Sequence, residues 1–311
     1  MVDLSTSLGA LQLPSPVLTA SGCAGAGREL DDYFDITQIG AIVTKSIMLE
    51  PRSGRATPRM AETPSGMLNS IGLQGPGIDA FLDKDLAWLR ERGARAVVSI
   101  AGNNVAEFGR LAGRLRGVPG ISAIEINISC PNVANRGLVF ACDLGSAADV
   151  VAEVKRYAPP GIPLLAKLSP DVTDIVAIAR GVVEAGADGL SMINTLLGMV
   201  IDPVTLRPQL GGRTGGLSGP AIRPVAVRAV YQVHAAMPHV PILGMGGIRT
   251  GADALQFLAA GASAVSVGTA IFNDPSAPMR ITRELEQELA DRNIAALRDV
   301  IGIAHTERTT A

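Results

Sequence analysis

Short, nearly unbroken apolar runs alternate along the chain with longer stretches whose apolar positions recur every three or four residues. The short runs fall at 17–20, 41–46, 96–101, 123–129, 163–169, 189–194, 241–246 and 264–268. Continuous apolar runs of this length are expected of parallel strands buried on both faces. Helical patterns lie between most of them, at 78–92, 105–115, 173–185, 221–236 and 252–260, and a charged amphipathic helix follows at about 277–292. Two segments look like copies of one unit, Glu184-Ala-Gly-Ala-Asp-Gly-Leu190 and Ala259-Ala-Gly-Ala-Ser-Ala-Val265. Each closes a helix at a glycine, which accepts the left-handed conformation, and enters a strand at once. Eight serial strand–helix units predict an α/β fold of the (β/α)8 TIM-barrel type, with a doubly wound open sheet as the structural alternative.

Residues 3–16 precede the first core run. They alternate around a Gly9-Ala10 turn and predict an N-terminal β-hairpin closing the barrel bottom. Two stretches, 48–77 and 131 to about 145, read as long loops, which inside a compact domain serve as lids or binding walls. Residues 305–311 read as a polar, frayed tail. No linker or low-complexity run divides the chain, so residues 1–311 are expected to form one barrel domain.

Composition narrows the function classes. The 311 residues are 47% hydrophobic and 18% charged, which excludes disorder. A formal net charge of −2 argues against a broad nucleic-acid surface. The three cysteines, Cys23, Cys130 and Cys142, form no C-x-x-C pair, so a cysteine-ligated cluster or zinc site on this chain is not expected. Free thiols imply a cytoplasmic setting. No basic-then-apolar leader is expected at the start, nor a membrane span anywhere, because no window approaches ~18–20 apolar residues.

In a barrel, reactive groups sit at the C-terminal ends of strands. That rule selects Lys45 and Ser46, Asn127 to Asn132, Lys167 to Pro170, Ile193 to Thr195, Gly244 to Gly247, and Gly268 to Ala270. The last two groups are glycine-bearing ends of strands seven and eight, where barrels commonly bind phosphate. Lys45 and Lys167 stand in otherwise apolar strands, which is costly without a partner or cavity. A structural ion pair, a Schiff-base lysine and a fixed cation facing an anionic ligand all satisfy that position. Cys130, at a strand end between Ser129 and Pro131, is either a small core residue or a catalyst. His234, His239 and His305 lie away from the strand ends and read as surface or packing residues, and no cluster suggests a metal.

These residues fall into a recognisable set. Asn127-Ile-Ser-Cys-Pro-Asn132, Met67-Leu-Asn-Ser-Ile-Gly-Leu-Gln74, Lys167-Leu-Ser-Pro170, Met192-Ile-Asn-Thr195, Gly215-Gly-Leu-Ser-Gly-Pro-Ala-Ile222 and Gly244-Met-Gly-Gly247 stand in order along the chain. Together with Ser21-Gly-Cys23 and Thr57-Pro-Arg59, the chain resembles the dihydroorotate dehydrogenases over about residues 4–299. Cysteine rather than serine at 130 resembles class 1, and the loop motifs are most similar to the catalytic subunit of the NAD-linked class 1B enzyme. The resemblance implies oxidation of dihydroorotate to orotate in pyrimidine biosynthesis, with FMN as cofactor and Cys130 as the base. It implies substrate binding by Lys45, Asn69, Ser70, Ile71, Gly72, Leu73, Asn127, Asn194 and Thr195. It implies FMN binding by Ser21, Lys45, Ser46, Ser99, Asn127, Lys167, Ile193, Gly219, Gly246, Gly247, Gly268 and Thr269. It further implies a homodimeric core joined by a subunit carrying FAD and a [2Fe–2S] cluster, a heterotetramer. A class 1A-like homodimer using fumarate and a flavin-free Schiff-base lyase or aldolase are the alternatives. Residues 131–145 are expected to act as a lid over the substrate. Two positions depart from the family pattern: Gly75 and Ser99 each stand where asparagine is expected.

Overall fold

The computed structural model describes residues 2–129 and 143–306. In chain order the strands are β1 (Thr6–Leu8), β2 (Leu11–Leu13), β3 (Val17–Thr19), β4 (Ile42–Val43), β5 (Met60–Thr63), β6 (Gly66–Asn69), β7 (Ala96–Ile100), β8 (Ile121–Asn127), β9 (Leu164–Lys167), β10 (Gly189–Met192), β11 (Leu196–Gly198), β12 (Ile201–Asp202), β13 (Arg207–Pro208), β14 (Gly215–Ser218), β15 (Ile242–Met245) and β16 (Ala264–Val267). Each of the eight expected runs carries one strand of a parallel sheet, ordered β3-β16-β15-β10-β9-β8-β7-β4. The two end strands meet through backbone bonds from Gly40 N–H to Val17 O at 2.8 Å and from Thr19 N–H to Ala41 O at 3.3 Å. The Thr19 hydroxyl accepts the Val43 N–H at 3.0 Å. The sheet therefore closes as a (β/α)8 barrel.

Strand alternation sorts the barrel interior into layers. Val97, Ala123, Leu165, Leu243 and Ala264 form an apolar floor with Leu18 and Val43. Two residues further along β7, β8 and β9 the same inward parity brings Ser99, Glu125 and Lys167, all buried. The interior is thus greasy at the N-terminal end of the strands and polar toward the C-terminal end. The hairpin of β1 and β2 seals the greasy end, as expected. It pairs Thr6 with Leu13 and Leu8 with Leu11 around the Gly9-Ala10 turn. Leu8, Leu11 and Leu13 pack into the floor cluster. Leu8 has no exposed surface, so Leu8→Ala removes a plug that nothing else fills. We expect it to cost about 2–5 kcal/mol in urea unfolding. A loss below about 1 kcal/mol, the scale of surface changes, would mean that the hairpin is dispensable to the barrel.

Helices Val105–Arg114, Leu144–Tyr157, Ile175–Glu184, Arg223–Ala236, Gly251–Ala259 and Ala277–Asp291 wrap the sheet. Each of the first three begins at an Asn or Asp whose side chain accepts a backbone N–H of the first turn: Asn104, Asp143 and Asp174. The expected helix at 78–92 is continuous but contains a π-helical stretch, Phe81–Leu86.

Two expectations are corrected. The stretch 48–77 is not simply a loop: β5 and β6 form a hairpin that joins β14 and β11 in a four-stranded antiparallel sheet, ordered β11-β14-β6-β5. Its strands lack an alternating apolar signal because Gly66, Gly198, Gly215 and Gly216 occupy positions where side chains would meet neighbouring atoms. Of the tail expected from 305, His305 is held in place, its ring stacked on Tyr231 with centroids 3.9 Å apart, and residues 307–311 lie outside the described residues. The His305 Nε2 also lies 3.0 Å from Ala260 O. The other histidines lie away from the strand ends, as read from the sequence.

Candidate active site

The strand ends bring most of the expected residues together. Ser21 follows β3, Ser46 follows β4 and Ser99 lies on β7, and their three hydroxyls touch. Ser46 Oγ lies 3.1 Å from Ser21 Oγ and 2.9 Å from Ser99 Oγ. The Asn127 amide, at the end of β8, donates to Ser46 Oγ at 2.8 Å. Its Oδ1 accepts from the Ser129 hydroxyl at 3.2 Å. The Asn194 amide donates to Ser129 Oγ at 2.7 Å. Asn194 Oδ1 in turn accepts the Thr195 N–H at 2.7 Å, which fixes the rotamer of the amide. One hydrogen-bonded belt therefore runs across the barrel mouth from β3 to β10.

Beneath the belt, Lys167 Nζ lies 3.4 Å from Glu125 Oε1, with side-chain exposures of 6% and 0%. Of the three readings open for Lys167, the structure supplies a buried ion pair. Glu125 was missed from the sequence. The signal was available: a single carboxylate in an apolar run, sharing inward parity with Ala123 and Asn127. The Ser99 hydroxyl donates to the same Oε1 at 3.0 Å. Ser99, one of the two departures, is thus joined to Ser46 on one side and Glu125 on the other. At the other departure, Gly75, the backbone pairs with Arg52 in both directions, at 2.9 and 3.0 Å. A Cβ there would meet its nearest atom only at 4.0 Å, so the fold tolerates a side chain at this position.

Lys45 and Lys167 both act electrostatically on the Cys23 thiol. Burial nevertheless dominates and pushes that thiol up to about 11. Burial therefore favours the neutral thiol at Cys23 over the thiolate that a base would need. Cys130 and most of the expected lid, 131–145, lie outside the described residues, as does Cys142.

The antiparallel sheet carries the segment 69–73 to the mouth. Register places Asn69 opposite Gly216, and the Asn69 amide donates to Gly216 O at 3.3 Å. Two arginines hold the rest: Arg59, which ends the Thr57-Pro-Arg59 motif, and Arg55, which no motif named. The Arg55 N–H donates to Ile71 O at 3.0 Å, and its guanidinium to Ser70 Oγ at 3.2 Å. Ser70 N–H donates to Arg59 O at 2.7 Å. Ser70 is fully buried with its hydroxyl engaged. Gly72 and Leu73 both adopt positive φ, 77° and 55°, which turns the chain back on itself. Asp171, whose carboxyl burial raises above the usual range, accepts the Leu197 N–H at 3.1 Å and so ties the loop after β9 to β11.

Across the mouth, Gly246 and Gly247 follow β15, and Gly268 and Thr269 follow β16. Gly247 has φ +77°, and a Cβ on it would fall 2.6 Å from Gly219 O. Only glycine lets these two loops approach so closely. The Thr269 hydroxyl donates to Ser218 Oγ at 2.8 Å, joining the β16 end to β14.

The buried polar groups are not all satisfied. Among the described residues, Glu125 Oε2 and Ser191 Oγ have no hydrogen-bond partner. Glu125 is likewise the acceptor that Lys167 has there, leaving an ammonium with three donors underused. Such groups are costly unless a ligand or water meets them. Below the mouth the fold therefore leaves hydrogen-bonding capacity that a polar ligand or water would meet.

Comparison with known proteins gives this arrangement a family. The profile of the dihydroorotate dehydrogenases matches residues 3–289. The chain is 51% identical over 300 residues to the "Dihydroorotate dehydrogenase B (NAD(+)), catalytic subunit" of Geobacter sp. (strain M21), covering 96% of this chain and 97% of that protein. It is 50% identical over 304 residues to the identically named protein of Desulforamulus reducens, covering 98% and 99%. With that of Trichlorobacter lovleyi it shares 51% over 299 residues, covering 96% and 97%. The barrel, the belt across its mouth and these matches agree: the chain belongs to the dihydroorotate dehydrogenase family of flavin-dependent oxidoreductases.

Proposed function

We propose that the chain is one FMN-binding barrel domain that oxidises dihydroorotate to orotate for pyrimidine biosynthesis and passes the electrons to NAD through a partner subunit. The observation that carries this reading is the hydrogen-bonded belt from Ser21 to Thr195, buried at Ser46, Asn127 and Ser129, set above the Glu125–Lys167 pair. The underused Lys167 and the close-approaching glycines fit FMN. Gly219, Gly246, Gly247, Gly268 and Thr269 would hold its phosphate side. Ser21, Lys45, Ser46, Ser99, Asn127, Lys167 and Ile193 would hold its ring system.

Bound FMN would supply the acceptor for the hydride leaving C6 of dihydroorotate. The chain's own residues supply the rest. Lys45 provides the charge that holds an anionic substrate, and Asn69, Asn127, Asn194 and Thr195 provide directional hydrogen bonds. Ser70 to Leu73 form the wall beside it. Cys130, next to Ser129 in the chain, takes the proton from C5 as base. Residues 131–145 would cover the substrate and keep water out.

Beyond this chain, the reading calls for a homodimeric core and a second subunit with FAD and a [2Fe–2S] cluster. Its setting is the cytoplasm. Among the described residues no helix is long and apolar enough to cross a membrane. The test is acceptor dependence. The purified chain with dihydroorotate and NAD should form no NADH, and adding the electron-transfer subunit of an NAD-linked enzyme should start NADH formation. Rapid turnover of the chain alone with fumarate would instead favour the self-sufficient homodimer.

A further inference from the structure

The ion pair below the mouth does more than satisfy a buried lysine. Glu125 has no exposed surface, and its Oε1 is shared between Lys167 Nζ at 3.4 Å and the Ser99 hydroxyl at 3.0 Å. Its Oε2 has no partner among the described residues, so the carboxylate is held from one side only. At these distances a buried carboxylate offsets much of the field its partner ammonium exerts on a third group, because screening inside the barrel is weak. We propose that Glu125 is a positioning residue that meters the positive charge Lys167 presents to the flavin, and so sets the flavin's reduction potential. The inference rests on the FMN reading above.

The sign follows from charge. The two-electron reduced flavin is anionic at its pyrimidine edge, so an uncompensated Lys167 favours the reduced form and a neutralised one favours it less. Removing the carboxylate's charge should raise the potential. Ser99 works the other way. Its hydroxyl competes with Lys167 for Oε1, so deleting it tightens the carboxylate on the ammonium and should lower the potential.

The experiment is an anaerobic reductive titration of the FMN-loaded chain against dyes of known potential, without dihydroorotate. Glu125→Gln keeps the shape and an acceptor for Ser99. It is expected to shift the midpoint upward by about 30 mV, a tenfold change for a two-electron couple. Ser99→Ala is expected to shift it downward, and to cause no further shift in the Glu125→Gln background. Flavin bound with an unmoved midpoint in Glu125→Gln would overturn the role of Glu125. If that variant does not retain FMN, Ser99→Ala decides alone, an unmoved or raised midpoint overturning the proposal. An unaltered chain that binds no flavin would overturn the FMN reading itself, a distinct failure.

Discussion

Cys130→Ser should retain FMN and lose flavin reduction by dihydroorotate at pH 7 by about 10²–10⁴-fold, the usual contribution of a positioned base. A thiol has a reference pKa of about 8.5, so a few per cent is already thiolate near neutrality. A serine hydroxyl is a far weaker acid. The residual rate should therefore climb with pH over a range in which the unaltered chain has levelled off. Cys23 is not expected to substitute, because burial raises its thiol above the usual range. Stopped-flow absorbance of the flavin on mixing with dihydroorotate reads the rate directly. An unchanged rate at pH 7 would show that Cys130 is not the base.

Lys167→Ala should both destabilise the barrel and empty it of flavin. The substitution leaves Glu125, fully buried, without its cation. Breaking a buried pair by removing one partner costs about 3–5 kcal/mol. Pairing the change with a second one separates the two effects. Lys167→Met with Glu125→Leu removes both charges, and should recover most of the stability while FMN stays lost. Urea unfolding measures the first and flavin absorbance after gel filtration the second. Equal stability of Lys167→Ala and the unaltered chain would mean that the pair is solvated and that the interior is not the low-dielectric chamber described. Flavin retained by the double variant would remove Lys167 from the cofactor site.

Much of this architecture was legible in the residues. The eight barrel strands announce themselves because parallel strands covered on both faces must be apolar almost throughout, as in Ala96–Ile100 and Ala264–Val267. The hairpin was legible through Leu8, Leu11 and Leu13, whose spacing points three side chains at one floor. The sheet beside the mouth was not. Glycines on β6, β11 and β14 make its close packing possible and erase the alternation that would reveal it. Lys45 and Lys167 stood out as polar residues in apolar runs, and Asn127 as a residue at a strand end. Glu125 met the first of these criteria, but its role depends on register across β8 and β9, which pairs Asn127 with Lys167 and sets Glu125 one inward step below. Arg55 carries no sequence pattern at all, and Arg59 stood only as the end of the Thr57-Pro-Arg59 motif, with no role attached. They matter because the fold returns 69–73 to them. The Ser99 departure could be judged only from its contacts, which turn a missing asparagine into a link between the belt and the buried carboxylate.

This barrel is expected to bind FMN and to take electrons from dihydroorotate. An anaerobic absorbance spectrum of the purified chain, before and after adding dihydroorotate, tests that most directly. A flavin spectrum that bleaches on addition is the expected result. A folded but colourless chain, or a flavin that stays oxidised in excess dihydroorotate, would contradict it.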